Sequence, residues 1–192
     1  MALVAHSQIP RHLDVGADIR LRIYRSSGAR AVSFLENAEL NRVLNHRFDL
    51  VILWLGSNDI RRDSQVGDSL GILNNIAEAL RDRYGDKVHI YSIEPRVFPP
   101  WGRGSAWMDD EKYRLIAKAV NRRLPRVVKW AKWLSFTARP FHNSLKIDGV
   151  HFSPEGRQHV NQKIKNAIEY EAARWRSIQA MGGYWAKEDQ GQ

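Results

Sequence analysis

In "KIDGVHFSPEG" (146–156) an aspartate precedes a histidine by three residues. Imidazole titrates near ~6.5, so its neutral form is available at physiological pH. His151 can therefore take a proton from a nucleophile, while Asp148 accepts a hydrogen bond from the other ring N–H and fixes the tautomer. Such a pair needs a hydroxyl to activate. Ser7 stands where the apolar stretch "ALVA" ends, and a serine there can present its hydroxyl above a sheet while its own N–H faces an oxyanion. In "WLGSND" the Asn58 amide can donate to the same oxyanion, and Gly56 lets the chain turn sharply. Gly28, in "RSSGARA", can offer a backbone N–H or simply serve a tight turn. Singly, each residue has an ordinary role: Ser7 as a cap, Asp148 and His151 as loop residues, Asn58 and Asp59 as turn formers. It is their combination that points to acyl transfer.

The apolar pattern supplies elements to position them. "ALVA" (2–5) reads as a short strand, and "IRLRIY" (19–24) alternates like a half-buried strand near a sheet edge. "VSFLENAELNRVLNH" (32–46) has helical spacing, and "DLVILWL" (49–55) suits a central strand covered on both faces. A helix over 66–84 is stopped by Gly85, and "KVHIYSI" (87–93) is the next strand. The helix beginning near Met108 must be interrupted at Pro125, or a second one must start there. "WLSFT" (133–137) is the expected last strand. Ser153 and Pro154 open the last helix. Strands alternating with helices predict a three-layer α/β/α sandwich around a mostly parallel five-stranded sheet. The polar clusters then fall in loops at the carboxyl ends of the strands. Residues 1–175 are expected to form a single domain and 176–192 a flexible tail.

Composition narrows the class. Hydrophobic residues make up 43% of the 192 and charged ones 27%, the balance of a folded chain. The chain has no cysteine, which excludes disulfides, Cys-bound zinc and thiol catalysis. No apolar run approaches the ~20 residues of a membrane span, and no leader pattern is visible. A cytoplasmic protein is the expectation. The net charge is +9, and the stretch from Lys112 to Arg139 holds nine Lys/Arg and no acid. Such a segment is either a solvated helix face or a surface for nucleic acid or anionic lipid.

These blocks resemble the SGNH hydrolases, the GDSL-like esterase/lipase superfamily. Ser7 in "VAHSQI", Gly28 in "SSGAR", "GSND" (56–59) and "DGVH" (148–151) stand in the family's order, and "IEPR" (93–96) sits where a Pro-bearing loop is common. The first block departs from the family's Gly-Asp-Ser, with Ala5-His6-Ser7 in its place. The resemblance implies a flavodoxin-like fold and a serine esterase working through an acyl-enzyme. Ser7 would be the nucleophile, His151 the general base and then acid, and Asp148 its orienting partner. The Ser7 and Gly28 N–H groups and the Asn58 amide would hold the oxyanion, with no metal or cofactor required. The substrate would be a small-molecule, lipid or carbohydrate ester.

The loop 94–108, with Phe98, Trp101 and Trp107, is the expected pocket wall, and Arg96 and Arg103 could favour an anionic substrate. The alternative is a weak or inactive domain of this kind, such as those of retroelements, that binds nucleic acid or anionic lipid through 112–139. There Trp130 and Trp133 either stack on bases or belong to the core.

Overall fold

The computed structural model describes residues 1–6, 13–26, 30–36, 38–61, 63–94, 96, 110–134 and 151–188. Five strands, β1 (Ala2–His6), β2 (Arg22–Ser26), β3 (Val51–Trp54), β4 (Val88–Tyr91) and β5 (Lys132–Leu134), form one sheet in the order β2-β1-β3-β4-β5. Every pairing is parallel. This is the doubly wound flavodoxin-like order, in which ligands bind beyond the carboxyl ends of the strands. The register aligns those ends: His6 lies opposite Ser26, Ala5 opposite Trp54, and Tyr91 opposite Leu134.

Alternation along the strands builds two cores. Ala2, Val4, Val51, Leu53, Val88 and Ile90 face helices α1 (Ala31–Glu36), α2 (Ala38–Leu44), α3 (Val66–Tyr84) and α4 (Asp110–Val127). Leu3, Ala5, Ile52, Trp54 and Tyr91 face α5 (Pro154–Glu188), which buries Val160, Ile164 and Ile168 at helical spacing. The expected three layers are present, and β1, although it begins at the second residue, is buried from Ala2 to Ala5 and paired on both sides.

Three elements differ from the sequence expectation. The edge strand β2 starts at Arg22 rather than near Ile19, because its register is set by pairing Arg22 with Ala2. The helix expected over 32–46 is two helices. At 100° per residue a single helix would turn Val43 roughly 180° from Phe34, yet both are buried in the same core. Pro125 neither interrupts α4 nor starts another helix; it sits in the last turn, and Val128 N–H closes on Leu124 O at 2.8 Å.

Helix α3 spans the residues expected, and Gly85, at φ 54°, ends it. Helix α5 continues to Glu188, beyond residue 175, and Arg176 still pairs with Asp18. Among the described residues no helix is long and apolar enough to cross a membrane.

Candidate active site

The turn after β3 is the best-defined part of the site. Gly56 has φ 108°, a conformation L side chains rarely adopt, and a Cβ there would lie 3.1 Å from Leu73 Cδ1 and 3.3 Å from Ile93 Cδ1. Glycine therefore lets the chain leave a fully buried strand and turn at once through Ser57–Asp59, where Asp59 N–H bonds Gly56 O at 3.1 Å. The buried Asp59 carboxylate accepts from Ala31 N–H at 2.7 Å and Val32 N–H at 3.1 Å, the orphan donors that open α1. Burial raises the Asp59 pKa, against the opposing pull of those two hydrogen bonds and of Arg30 and Arg61. The side chain thus ties the turn after β3 to the segment after β2.

Beyond β4 the backbone is pinned as firmly. Ile93 N–H donates to Asn121 Oδ1 at 2.8 Å, and Asn121 Nδ2 returns a bond to Ile93 O at 3.0 Å. Glu94, 0% exposed, accepts from Trp54 Nε1 at 3.1 Å, and its carbonyl accepts from Tyr113 Oη at 2.9 Å. Arg96 reaches back from this segment: its Nη2 lies 2.8 Å from Asn58 Oδ1, 2.8 Å from Ser57 Oγ and 3.2 Å from Glu94 Oε1. Arg96 is buried, paired with a carboxylate and set over the Tyr113 ring at 5.7 Å. The expectation that it meets an anionic substrate is replaced by an internal role: Nη2 is taken up by the turn and by Glu94, while the buried Nε has no hydrogen-bond partner among the described residues.

His151 is exposed, next to the fully buried Phe152, whose ring packs on Trp54 at 6.1 Å. Ser153 Oγ accepts Gly156 N–H at 3.1 Å, the cap expected for α5. The Trp54 indole therefore contacts both the segment carrying His151 and, through Glu94, the segment carrying Arg96. Of the sequence-predicted residues, Asn58 and His151 are described and both lie in loops beyond strand ends. Ser7, Gly28 and Asp148 lie outside the described residues, as do Phe98, Trp101, Arg103 and Trp107. Among the described residues no group of three His, Asp or Glu could hold a metal.

A sequence model of the GDSL-like Lipase/Acylhydrolase family matches residues 5–159, most of the chain and a range that spans the four blocks. The chain belongs to that family. This GDSL-like protein is an ester hydrolase, and the resemblance to the SGNH hydrolases is borne out. No curated protein sequence matches it. Solved structures that it resembles include a Streptococcus pneumonia protein named for platelet activating factor, at 17% identity and TM-score 0.67, with 87% of this chain and 82% of that one covered. A second is the psychrotrophic esterase EstA of Pseudoalteromonas, captured inhibited by monoethylphosphonate, at 12% identity and TM-score 0.62 over 88% and 96% of the two chains. A third is a carbohydrate esterase of family 3 from Talaromyces cellulolyticus, at 18% identity and TM-score 0.58 over 90% and 99%. At these identities the likenesses establish the fold, and the activity follows from the family.

Sequence reasoning missed Glu94 and Trp54. A carboxylate directly after an apolar strand and two residues before an arginine was the available signal for a buried pair.

Proposed function

We propose that the protein cleaves an acyl ester through a Ser7–His151–Asp148 triad and an acyl-enzyme. His151 takes the Ser7 Oγ proton as Oγ attacks the acyl carbonyl carbon. The oxyanion that forms is held by the Ser7 and Gly28 N–H groups and the Asn58 amide. The C–O bond then breaks, and His151 returns the proton to the departing alcohol. Water, deprotonated by His151, attacks the acyl carbon; the acyl–Oγ bond breaks, His151 returns the proton to Ser7 Oγ and the acid leaves, with Asp148 orienting the imidazole throughout. The observation that carries this reading is the convergence of blocks on the end of β3: Asp59 holds the start of α1, and Trp54 packs on Phe152 beside His151. The activity needs no metal or cofactor, and the unit responsible is a single domain that extends past residue 175, since Arg176 in α5 pairs with Asp18.

The decisive experiment is labelling by a fluorophosphonate probe, a reagent class consistent with the phosphonate-inhibited esterase among the similar folds. Wild type should be labelled and should hydrolyse p-nitrophenyl acetate. Ser7→Ala and His151→Ala should lose both while melting normally, and Asp148→Asn should lose the same activity or less. Labelling that persists in Ser7→Ala sinks the nucleophile assignment.

The basic face of α4 supports a second reading, docking of the hydrolase on an anionic bilayer. Lys118, Arg122 and Arg126 are exposed and lie with Leu115 within roughly 80° of arc, taking 100° per residue. Leu115 is 58% exposed among them, an apolar projection suited to a lipid surface. None of the three cations pairs with a carboxylate among the described residues. Trp130 and Trp133 pack against the core, and Trp130 Nε1 bonds Glu78 at 3.2 Å, so base stacking loses its candidates. Each cation near such a surface contributes about 1 kcal/mol. Sedimentation with phosphatidylserine vesicles should be strong at low salt and lost on Lys118→Glu/Arg122→Glu/Arg126→Glu. Equal binding to neutral vesicles, or preference for oligonucleotide over vesicles, overturns this reading.

A further inference from the structure

We propose that Arg96 is a positioning residue that aims the Asn58 amide at the oxyanion, a role that rests on the hydrolase reading above. A guanidinium only donates hydrogen bonds, so the atom of Asn58 that faces Arg96 Nη2 at 2.8 Å is its oxygen. The amide is planar, and fixing its oxygen fixes the opposite arm. The Nδ2–H donors are thereby turned away from the buried pair. Replacing Arg96 removes this hold on the oxygen, and an amide turned so that its oxygen faces a developing oxyanion would repel it.

The arginine is itself held on several sides. Ser57 Oγ accepts from the same Nη2 at 2.8 Å, which fixes the residue just before Asn58. Glu94 sits against it at 3.2 Å, clamped by Trp54 Nε1, and the Tyr113 ring lies beneath. Two Nη2 hydrogens serve three acceptors, so the longer Glu94 contact acts chiefly as the countercharge. That countercharge matters to the function. It cancels a cation that would otherwise attract any anionic ester, so Arg96 acts through direction. A hydrogen bond to the amide oxygen also polarises the amide and strengthens its N–H donors by about 10–30%. The frame draws on β3, the segment after β4, and α4, so the amide is preorganised before substrate arrives.

The test uses the full chain and three variants: Arg96→Met, Arg96→Lys and the charge-neutral Glu94→Gln/Arg96→Met, which keeps an acceptor for Trp54 if the single variant folds poorly. With p-nitrophenyl acetate, kcat should fall about tenfold or more while KM stays within about twofold, the signature of a contact used in the transition state. Lysine, a single-point donor, should not rescue. In an Asn58→Ala background the same replacements should cost less than about twofold, because the group they aim is gone. The Asn58 side-chain amide, assigned by its disappearance in Asn58→Asp, should give a sharp ¹⁵N–¹H pair in wild type and an exchange-broadened one without Arg96. Equal losses in both backgrounds, a change confined to KM, or an unaltered amide pair in the charge-neutral double variant each overturn the proposal. If Ser7→Ala keeps the fluorophosphonate label while the amide pair still broadens, the nucleophile assignment fails and the Arg96–Asn58 tie stands.

Discussion

Arg96 Nη2 and Asn58 Oδ1 lie 2.8 Å apart across two loops that leave different strands. The contact joins the turn after β3 to the segment after β4, and it separates the two functions of an amide. The oxygen is used structurally, and the oxyanion role proposed above falls to the nitrogen. Asn58→Asp tests that division. Aspartate offers Arg96 an ionised oxygen and a stronger, charge-assisted bond, so the melting temperature should hold or rise. It has no donor to replace Nδ2 and adds negative charge near the oxyanion, so kcat should fall by about 10²–10³ or more. Calorimetry beside steady-state kinetics checks both halves; a variant that turns over normally would remove Asn58 from the site.

Gly56 carries the second prediction. Its φ of 108° and the 3.1 Å and 3.3 Å approaches of a Cβ to Leu73 and Ile93 mean that Gly56→Ala must strain the backbone and shift two buried side chains. A loss of about 1–3 kcal/mol is expected, or a drop of several degrees in melting temperature for a chain of this size. The turn it opens carries Ser57 and Asn58, so kcat should fall more than residual stability alone explains. An alanine variant with wild-type melting and turnover would show that the turn relaxes.

How much of this was legible in the sequence depends on range. The strands and α3 follow from local apolar spacing, and the topology from their alternation. The turn at Gly56 could be read because a glycine straight after a buried strand serves a sharp turn, whereas Asn58 has an ordinary turn role and owes its catalytic reading to the combination of blocks. Arg96 was misread, since a Pro/Gly-rich loop suggests exposure and nothing local shows that Trp54, forty residues upstream of Glu94, supplies the indole N–H that holds it. Pro125 was misjudged for a related reason. Its missing N–H forfeits one backbone bond, to the carbonyl of Asn121, and α4 ends only two residues later, a proximity that local sequence does not show.

Asp59 gives a third prediction, on the link between blocks. Its two oxygens receive Ala31 N–H and Val32 N–H in a place that burial already makes unfavourable for a charge. Asp59→Ala would leave both donors without an acceptor, a loss of about 1–3 kcal/mol. Asn can accept only one of them and presents a donor to the other, so Asp59→Asn should rescue little. Hydrogen exchange at Ala31 and Val32 should accelerate in both variants while α3 stays protected. Uniform acceleration across the chain would instead mean that Asp59 supports the whole fold.

The last prediction concerns pH. His89, 2% exposed in β4, lies 3.7 Å from Glu171 Oε1, with Lys132, Arg174 and Asp86 around it. Burial lowers its pKa from 6.5 to about 4, outweighing the attraction of Glu171. The unfolded chain therefore binds a proton more readily than the folded one between those values. Stability is complete above about 6.5 and is lost as pH falls toward 4. Burial of Glu171 pulls its pKa upward, but the Lys132 hydrogen bond and the charges of His89 and Lys132 outweigh it and lower the value from 4.5. Its own acid-linked loss thus falls below 4.5, so of this pair the histidine is the group that titrates between 4.5 and 6.5. Wild-type melting temperature should decline across that window, and His89→Gln, which cannot take up a proton, should flatten the decline. A variant that keeps the full wild-type slope would assign the acid sensitivity to a different group.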